Sequence, residues 1–292
     1  MTSWRAWLLA ARIRTLTAAA APVLVGVSFA LSEGRFRWLP AVATLAAALL
    51  IQVGTNIAND YYDFVKGVDT PERTGGLRVT QAGLLAPATV RTGMWTVFAA
   101  ALAIGAYLVT VGGWPVLAIG VASLGAGLAY TAGPLPIGYV GLGDVFTFVF
   151  FGPVAVAGTY YLQTGVLGSH ALLAGMGVGA VVTAILVVNN LRDLTTDARA
   201  GKRTLAVRIG ARATRAEYVV LLALGAAVPF AGWIGGFWSA GGTVALLAFA
   251  LAMPSLRIVF GFRDPRELNA ALAGTARMVG AYGLLFAAGL AL

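Results

Sequence analysis

The sequence predicts an all-α integral membrane protein, a polytopic bundle of about nine transmembrane helices. Three observations support this fold class. First, 59% of the 292 residues are hydrophobic and only 11% are charged, whereas a water-soluble domain carries about a quarter charged residues. Second, the mean hydropathy is +0.86. Third, apolar stretches of roughly 20 residues, the length that spans a bilayer as a helix, recur between polar joints.

The stretches can be taken in chain order, beginning with one at about 15–31. It follows the basic segment MTSWRAWLLAARIRT, which has no compact signal-peptide core and cleavage site, so we expect a retained first helix. The second, at about 39–58, runs into the polar sequence NDYYDFVKGVD. The third and fourth, at about 94–111 and 115–132, are separated by the turn VGGWP, and the fifth, at about 144–163, begins at the sequence GLGD.

The sixth stretch, at about 171–191, ends in the polar sequence NNLRDLTTD. The seventh and eighth, at about 217–235 and 243–260, are joined by WIGGFWSAGG, and the ninth covers about 271–292. We expect one integral-membrane domain over 1–292, with a pseudo-repeat of 15–143 and 144–260 followed by the last helix, because an Asn/Asp cluster recurs four helices later in the same sense. The chain contains no cysteine, which excludes disulfides and Cys-ligated metal sites.

The charge distribution predicts the membrane topology. If nine helices alternate in direction, every Lys and Arg except Arg35 and Arg37 falls on one face. The positive-inside rule then places the N-terminus in the cytoplasm and the C-terminus outside. We therefore expect a multi-pass protein of the plasma or inner membrane, and the net charge of +9 needs no nucleic-acid partner. All acids except Glu33 share the cytoplasmic face, which predicts that the active site faces the cytoplasm.

Two polar motifs end the second and sixth stretches. Asn59 and Asp63 are four residues apart, and so project from one face of a helix; Asn189, Asp193 and Asp197 form a second stripe with the same spacing. Asp69 lies six residues beyond Asp63 and needs a bend in the backbone to join it, which Gly67 can supply.

Carboxylates without nearby His or Cys suit hard cations, and Mg²⁺ is typically held by one or two carboxylates together with phosphate oxygens. The four aspartates of the motifs cannot gather at a membrane edge without divalent cations or a strong basic set. Such a set follows each motif: Lys66, Arg73 and Arg78 after the first, and Arg192, Lys202 and Arg203 in or after the second. A metal ion together with Arg and Lys side chains commonly binds a phosphorylated leaving group. An apolar helical bundle with such residues at one rim therefore predicts a lipid diphosphate substrate.

The chain resembles the UbiA superfamily of intramembrane aromatic prenyltransferases, and within it the 1,4-dihydroxy-2-naphthoate prenyltransferases of menaquinone synthesis. The resemblance rests on RIRTLTAAAAPVLVG (12–26), TNIANDYYDFVKGVDTPER (55–73), RVTQAGLL (78–85), YTAGPLPIGYVGLGD (130–144) and NNLRDLTTDARAGKRTLAVRIG (189–210). The last three helices add little beyond hydrophobicity. GGLRV (75–79) and Thr17 depart from the pattern typical of the naphthoate group, which affects the assignment of the acceptor more than the chemistry.

The resemblance implies a Mg²⁺-dependent transfer from a polyprenyl diphosphate to 1,4-dihydroxy-2-naphthoate, in which an allylic carbocation is attacked by the aromatic ring and CO₂ departs. One Mg²⁺ would be held by Asp63 and Asp69 and a second by Asp193 and Asp197. The resemblance implies that the diphosphate is bound by Asn59, Lys66, Arg78, Lys202 and Arg203, and that Lys66 also has a catalytic role. Candidates for additional metal ligands are Asn59, Asp60 and Asn189. Candidates for contact with the aromatic acceptor or the cation are Arg12, Asn56, Tyr130, Tyr139 and Asp144.

Several of these residues have a second interpretation. Tyr130 and Tyr139 can be interfacial anchors, Asp144 can cap the fifth helix, and Arg12 can act only in topology. Asp60 lies off the face shared by Asn59 and Asp63, so it can be structural. The alternative functions are a prenyltransferase for another acceptor, such as 4-hydroxybenzoate, homogentisate, haem or chlorophyllide, and, from another class, a membrane transporter or a scaffold.

Overall fold

The chain folds into a bundle of α-helices in the computed structural model, which describes residues 3–69 and 74–292. The described residues contain no β-strand, so the predicted fold class is confirmed. The helices are, in chain order, α1 (Ser3–Ala11), α2 (Leu16–Ser32), α3 (Trp38–Val65), α4 (Pro87–Gly112), α5 (Trp114–Ala129), α6 (Gly143–Val149), α7 (Ala155–Thr164), α8 (Ser169–Arg199), α9 (Leu205–Ile234), α10 (Met253–Gly261) and α11 (Leu268–Ala291). A π-helix at Phe150–Val154 joins α6 to α7, and a 3₁₀ helix at Ala240–Ala252 leads into α10.

The predicted apolar stretches all correspond to helices. Among the described residues, eight helical segments are long and apolar enough to cross a membrane, and α5 is a shorter apolar helix. Each predicted stretch overlaps one of these segments or α5. The eight segments are Ser3–Ser32, Trp38–Val65, Pro87–Gly112, Gly143–Thr164, Ser169–Arg199, Leu205–Ile234, Ala240–Gly261 and Pro265–Ala291.

Several helix ends differ from the prediction. α3 continues to Val65 and α8 to Arg199, past the ends expected near 58 and 191. Both motifs therefore lie on the last turns of these helices, because a helix does not stop where its hydropathy falls. α4 and α9 also begin earlier than expected, at Pro87 and Leu205. Proline is well tolerated at the first position of a helix, and the Thr204 hydroxyl caps α9 by accepting a hydrogen bond from the Val207 amide at 3.3 Å.

The short helix α1 and the corner that follows it were not predicted from the sequence. Trp7 of α1 packs so closely on Gly93 of α4 that a β-carbon there would lie 2.2 Å from the indole ring. The chain then turns at Arg12, whose φ of +49° is unusual for a residue with a side chain. Thr15 stabilises the corner, since its amide and its hydroxyl donate to the Arg12 carbonyl at 2.8 and 2.9 Å.

Helix α8 lies at the centre of the bundle. Its small residues let the π-helix that follows α6 approach at backbone distance: a β-carbon on Gly152 would lie 2.5 Å from the Gly175 carbonyl oxygen. Small residues in membrane helices commonly permit such contacts. The largest core cluster surrounds α8 and is formed mainly by α2, α7, α9, α11 and the 3₁₀ helix. The motif at the end of α8 is therefore carried by a well-supported helix.

The bundle has two polar ends of different character. At one end, here called the motif end, the loop residues 66–69, 74–86, 130–142 and 200–204 lie together. Arg73 belongs to the predicted basic set, but residue 73 lies outside the described residues. At the other end, the Tyr160 hydroxyl donates to the Glu33 carboxylate, and His170 packs edge-on against Phe29 and Tyr160. His170 is therefore far from both motifs.

Candidate active site

A large cavity brings the two motifs together. Its volume is about 940 Å³, and its wall includes Asn59 and Asp63 from α3 and Asn189, Asp193 and Asp197 from α8. Away from the motif end, the lining side chains are mainly apolar and include Pro22, Ile51, Phe146, Phe150, Val182 and Leu186. The cavity thus joins a charged rim to an apolar interior, which suits a ligand with an ionic head and a hydrocarbon tail.

Asp63 of the first motif is contacted by three side chains. It is buried, with 2% of its side chain exposed. Arg78 and Lys202 each reach Oδ2 at 3.2 Å, and the Tyr139 hydroxyl donates to Oδ1. The two cations come from different loops, so the negative charge of Asp63 holds both loops at the rim of the cavity.

Asp69 returns to the same place because the chain bends after α3. Gly67 has a φ of +67°, the conformation predicted for it, and the amides of Val68 and Asp69 donate to the Asp63 carbonyl at 2.9 and 3.4 Å. The Arg78 Nε then lies 3.4 Å from Oδ2 of Asp69. One guanidinium therefore contacts both aspartates of the first motif.

Asp60 faces a different partner. Its two carboxylate oxygens accept hydrogen bonds from the amides of Val79 and Thr80, each at 3.0 Å, and one of them also accepts from the Thr80 hydroxyl. Asp60 is 2% exposed. These contacts fix the backbone on the C-terminal side of Arg78, and so help to place that guanidinium beside Asp63.

The second motif is held by an arginine from within it. Arg192 donates through Nε and Nη2 to the two oxygens of Asp193, and Nη2 also donates to Asn189 Oδ1 at 2.9 Å. The Thr74 hydroxyl reaches Asp193 from the loop after α3, at 2.9 Å. Asp197, one turn further along α8, is partly buried and lines the cavity. Thr74 thus links the loop of the first motif to the second motif.

The other three basic residues predicted for the diphosphate, Lys66, Lys202 and Arg203, differ in their contacts and in their distance from the cavity. Lys202 lines the cavity, and its amine lies 4.5 Å from the centre of the Tyr139 ring. Lys66 donates to the carbonyls of Thr131 and Gly133 at 2.6 and 3.0 Å, and partial burial lowers the pKa of its amine, an effect that Asp63 opposes. Arg203 is exposed, and its backbone amide donates to the Tyr139 carbonyl.

The two tyrosines of the 130–142 loop border the charged rim. Both line the cavity. Burial, followed by the Asp63 charge, raises the pKa of the Tyr139 hydroxyl above its usual value, so this group acts as a neutral donor to Asp63. Burial also raises the pKa of Tyr130, and Asp144 adds to the shift. Asp144 itself is 5% exposed at the start of α6, behind this loop.

Asn59 and Asn56 connect α3 to neighbouring segments. The Thr131 hydroxyl donates to Asn59 Oδ1 at 2.8 Å. One turn earlier, Asn56 Nδ2 donates to the Ala11 carbonyl at 2.9 Å and to the Thr15 hydroxyl at 3.0 Å. Asn56 thereby secures the corner at Arg12, and both of these residues line the cavity.

The structure adds three residues that the sequence interpretation did not assign to the site. Thr74 contacts Asp193, Gln52 lies beside Asn56, and Asn269 of α11 accepts a hydrogen bond from Arg192 at 3.0 Å. Asn269 was not among the predicted site residues, although it lies on one of the last three helices, which add little to the family resemblance. A polar amide at the start of the last apolar span was the available signal, since such groups are costly there unless they pair.

Comparisons with known proteins show the family and the fold of this chain. The model of the UbiA prenyltransferase family matches residues 19–287. A 1,4-dihydroxy-2-naphthoate octaprenyltransferase from Haemophilus influenzae is 36% identical, with 97% of this chain and 95% of that protein covered. The corresponding Mycobacterium tuberculosis protein is 37% identical, with 100% and 98% covered. The structure of a UbiA homologue from Archaeoglobus fulgidus bound to GPP and Mg²⁺ superposes with a TM-score of 0.69 at 14% identity, covering 98% of this chain and 100% of that one.

Proposed function

The chain belongs to the UbiA prenyltransferase family, and from that premise we propose that it transfers a polyprenyl group from a polyprenyl diphosphate to 1,4-dihydroxy-2-naphthoate. The products are CO₂, diphosphate and a prenylated 1,4-dihydroxynaphthalene, the quinol form of demethylmenaquinone, which places the enzyme in menaquinone biosynthesis. One observation carries the proposal: an apolar cavity is closed at one rim by both aspartate motifs together with Arg78 and Lys202. The near full-length similarity to naphthoate octaprenyltransferases supports the choice of acceptor.

The donor set at the rim suits Mg²⁺, the cofactor of this transfer. Asp63 and Asp69 lie close enough for one guanidinium to contact both, so one cation can serve both carboxylates. The described residues contain no group of three or more His, Cys, Asp or Glu that would form a complete metal site. The donors at the rim are carboxylate oxygens, which suit Mg²⁺, a cation that is typically bound by one or two carboxylates together with phosphate oxygens and water.

We assign the metal-binding roles as follows. Asp63 and Asp69 would hold one Mg²⁺, and Asp193 and Asp197 a second; when bound, the ions neutralise the diphosphate and stabilise the charge that develops on it as it leaves. Asp60 we assign to positioning, because its carboxylate oxygens already serve the backbone around Arg78. Asn59 and Asn189 adjoin the ligand pairs and are the residues best placed to support them.

The basic residues at the rim receive the diphosphate. Arg78 and Lys202 contact Asp63, and both can exchange a carboxylate for diphosphate oxygens, which carry more negative charge. Lys66 and Arg203 sit further back, against the 130–142 loop, and so would contribute mainly by holding that loop. The prenyl chain then extends into the apolar part of the cavity.

The chemistry after ionisation needs positioning more than proton transfer. Breaking the carbon–oxygen bond of the donor leaves an allylic cation, and the bonding pair departs with the diphosphate. The acceptor carbon that bears the carboxylate attacks the cation, and loss of CO₂ returns its bonding pair to the ring. No base is required for this step, because CO₂ leaves in place of a proton. The faces of Tyr130 and Tyr139 can stabilise the cation. Arg12 and Asn56 line the same cavity and can contact the acceptor, whereas Asp144 is buried at the start of α6 and does not line it.

The motif end is assigned to the cytoplasmic side of the plasma or inner membrane. The Lys and Arg residues concentrate there, as the positive-inside rule requires of cytoplasmic loops. We further propose one domain with a pseudo-repeat of 15–143 and 144–260. Its support is that α3 and α8 both end in an Asn/Asp cluster and that both clusters line the same cavity.

The proposal is tested with the purified protein, Mg²⁺, farnesyl or geranylgeranyl diphosphate, and a panel of acceptors. We expect a prenylated product from 1,4-dihydroxy-2-naphthoate with one equivalent of CO₂, detected by mass spectrometry and by release of label from the carboxyl group. Turnover of 4-hydroxybenzoate without CO₂ release, and no reaction with the naphthoate, would move the enzyme to another acceptor class. The absence of prenyl transfer to any acceptor would overturn the proposal.

A further inference from the structure

We propose that Asn269, on the last helix, is a positioning residue for Asp193, acting through Arg192 and Thr74. The inference rests on the proposed function, in which Asp193 binds a metal ion, and it adds to that site a residue from a helix that carries neither motif. Asn269 itself would not contact the metal, and its role is to keep the second motif ready to receive it.

The geometry is a closed ring of side chains. Arg192 Nη1 donates to Asn269 Oδ1 at 3.0 Å, and Asn269 Nδ2 donates to the Thr74 carbonyl at 3.1 Å. Thr74 in turn donates its hydroxyl to Asp193, whose carboxylate accepts from Arg192. Three segments that are far apart in the sequence therefore meet around one carboxylate.

Asn269 can affect Asp193 because Arg192, the side chain that connects them, is buried. Arg192 is 5% exposed and Asp193 6%. A buried guanidinium must have its donors satisfied, and an apolar replacement of Asn269 would leave Nη1 without its acceptor. Arg192 would then turn toward water or another acceptor, and Asp193 would lose the partner that fixes its two oxygens. Partners of metal ligands are known to change metal affinity by about 10- to 100-fold when removed.

The ring also couples the two motifs. Thr74 belongs to the loop that carries Arg78, and Arg78 contacts both Asp63 and Asp69. Asn269 also donates to the Arg266 carbonyl at 2.9 Å, which ties its amide to the turn before α11. The last helix thus provides a fixed point to which the loop of the first motif and the arginine of the second are both attached.

The test measures metal binding as well as turnover. Mn²⁺ would be titrated into the purified protein with inorganic diphosphate present, and free Mn²⁺ followed by electron paramagnetic resonance. We expect Asn269→Leu to raise the Kd for Mn²⁺ about tenfold or more, and to raise the Mg²⁺ concentration needed for half-maximal prenyl transfer by a similar factor. Thr74→Val should have a smaller effect in the same direction. The double variant should fall short of the product of the two effects, because both act on Asp193.

A matched control is Gln163→Leu, which removes a buried amide at the other end of the bundle, where Gln163 accepts from the Arg37 backbone amide. It should leave Mn²⁺ binding unchanged. Wild-type Mn²⁺ affinity and Mg²⁺ dependence in a folded Asn269→Leu variant would overturn the inference, even if turnover were slower. If Asn269→Leu does not fold, the same titration is made with Thr74→Val, and a wild-type Kd for Mn²⁺ in that variant would also overturn the inference. A wild-type protein that binds Mn²⁺ with diphosphate but transfers no prenyl group would instead overturn the proposed function alone.

Discussion

The contrast between Asp60 and Asp63 offers the sharpest test of the site. They lie three residues apart on α3, are both 2% exposed, and would be equally plausible ligands on composition. Their contacts differ: Asp60 binds two backbone amides and a hydroxyl, whereas Asp63 binds two cations and a phenol. We therefore expect Asp60→Asn and Asp63→Asn, which change only one atom and one charge, to damage different properties.

Asp60→Asn should lower stability. The amide can keep one acceptor oxygen, but its NH₂ group would face a backbone N–H, so at least one hydrogen bond to a charged acceptor is lost. Such a bond contributes about 1.5–3 kcal/mol. A loss of about 2 kcal/mol corresponds to a fall in Tm of about 3 °C for a chain of 292 residues, at roughly 2.1 cal/mol/K of unfolding entropy per residue. The folded fraction should still respond to Mg²⁺ as the wild type does, since no metal ligand has changed.

Asp63→Asn should keep a folded protein and remove its activity. Arg78 still has Asp69 at 3.4 Å, and Lys202 still lies over the Tyr139 ring, so the loops keep a contact. The charge that would bind Mg²⁺ is gone, however, and removal of a group that stabilises charge in a transition state costs about 10²–10³ in kcat.

The assays are thermal unfolding in detergent with EDTA, and initial rates of prenyl transfer against Mg²⁺ concentration. Each aspartate variant is the control for the other, because both carry the same chemical change on the same helix. An Asp60→Asn protein with wild-type Tm but a shifted Mg²⁺ response would make Asp60 a ligand and refute the reasoning from its contacts.

Three further predictions follow from the same geometry. EDTA should stop prenyl transfer and added Mg²⁺ should restore it; a rate that survives chelation would contradict the metal assignment. Lys202→Met should lower kcat/KM for the prenyl diphosphate about tenfold or more, which is the contribution of one hydrogen bond to a charged group. Lys66→Met should have a smaller effect, because the Lys66 amine is held by two backbone carbonyls. Equal losses of kcat/KM in the two variants would contradict this ranking. A reporter fused after the last helix should be extracytoplasmic, and a cytoplasmic signal would contradict the proposed topology.

Much of the site could be predicted because it depends on local spacing. The four-residue interval places Asn59 with Asp63, and the same rule groups Asn189, Asp193 and Asp197. The bend at Gly67 was also predictable, because Asp69 could not otherwise return to the first pair. The approximate positions of the membrane-spanning helices followed from hydropathy alone, but several of their ends did not. What these patterns have in common is that each involves residues close to one another in the sequence.

The rest depends on contacts between distant segments, which spacing does not encode. Asn269 and Thr74 are 195 positions apart, and nothing local marks either as a partner of the second motif. The role of Asp60 depends on a backbone loop around residue 79 that folds back onto α3. The helix α1 is shorter than a membrane span, so a search for apolar stretches of that length does not detect it.

The structure also explains how three of the four motif aspartates can gather in so apolar a protein. The sequence required either divalent cations or a strong basic set, and the structure shows such a set: Arg78 lies between Asp63 and Asp69, Lys202 joins Asp63, and Arg192 holds Asp193. Metal and diphosphate would therefore enter by exchange. A metal ion that binds one of these carboxylates would displace the arginine or lysine that contacts it, and the diphosphate would be the new partner of that displaced side chain. Binding of Mg²⁺ alone would leave the displaced arginine or lysine without a partner, and binding of diphosphate alone would leave an aspartate without one. Because a buried charge without a partner is costly, we expect Mg²⁺ and diphosphate to bind more tightly together than separately.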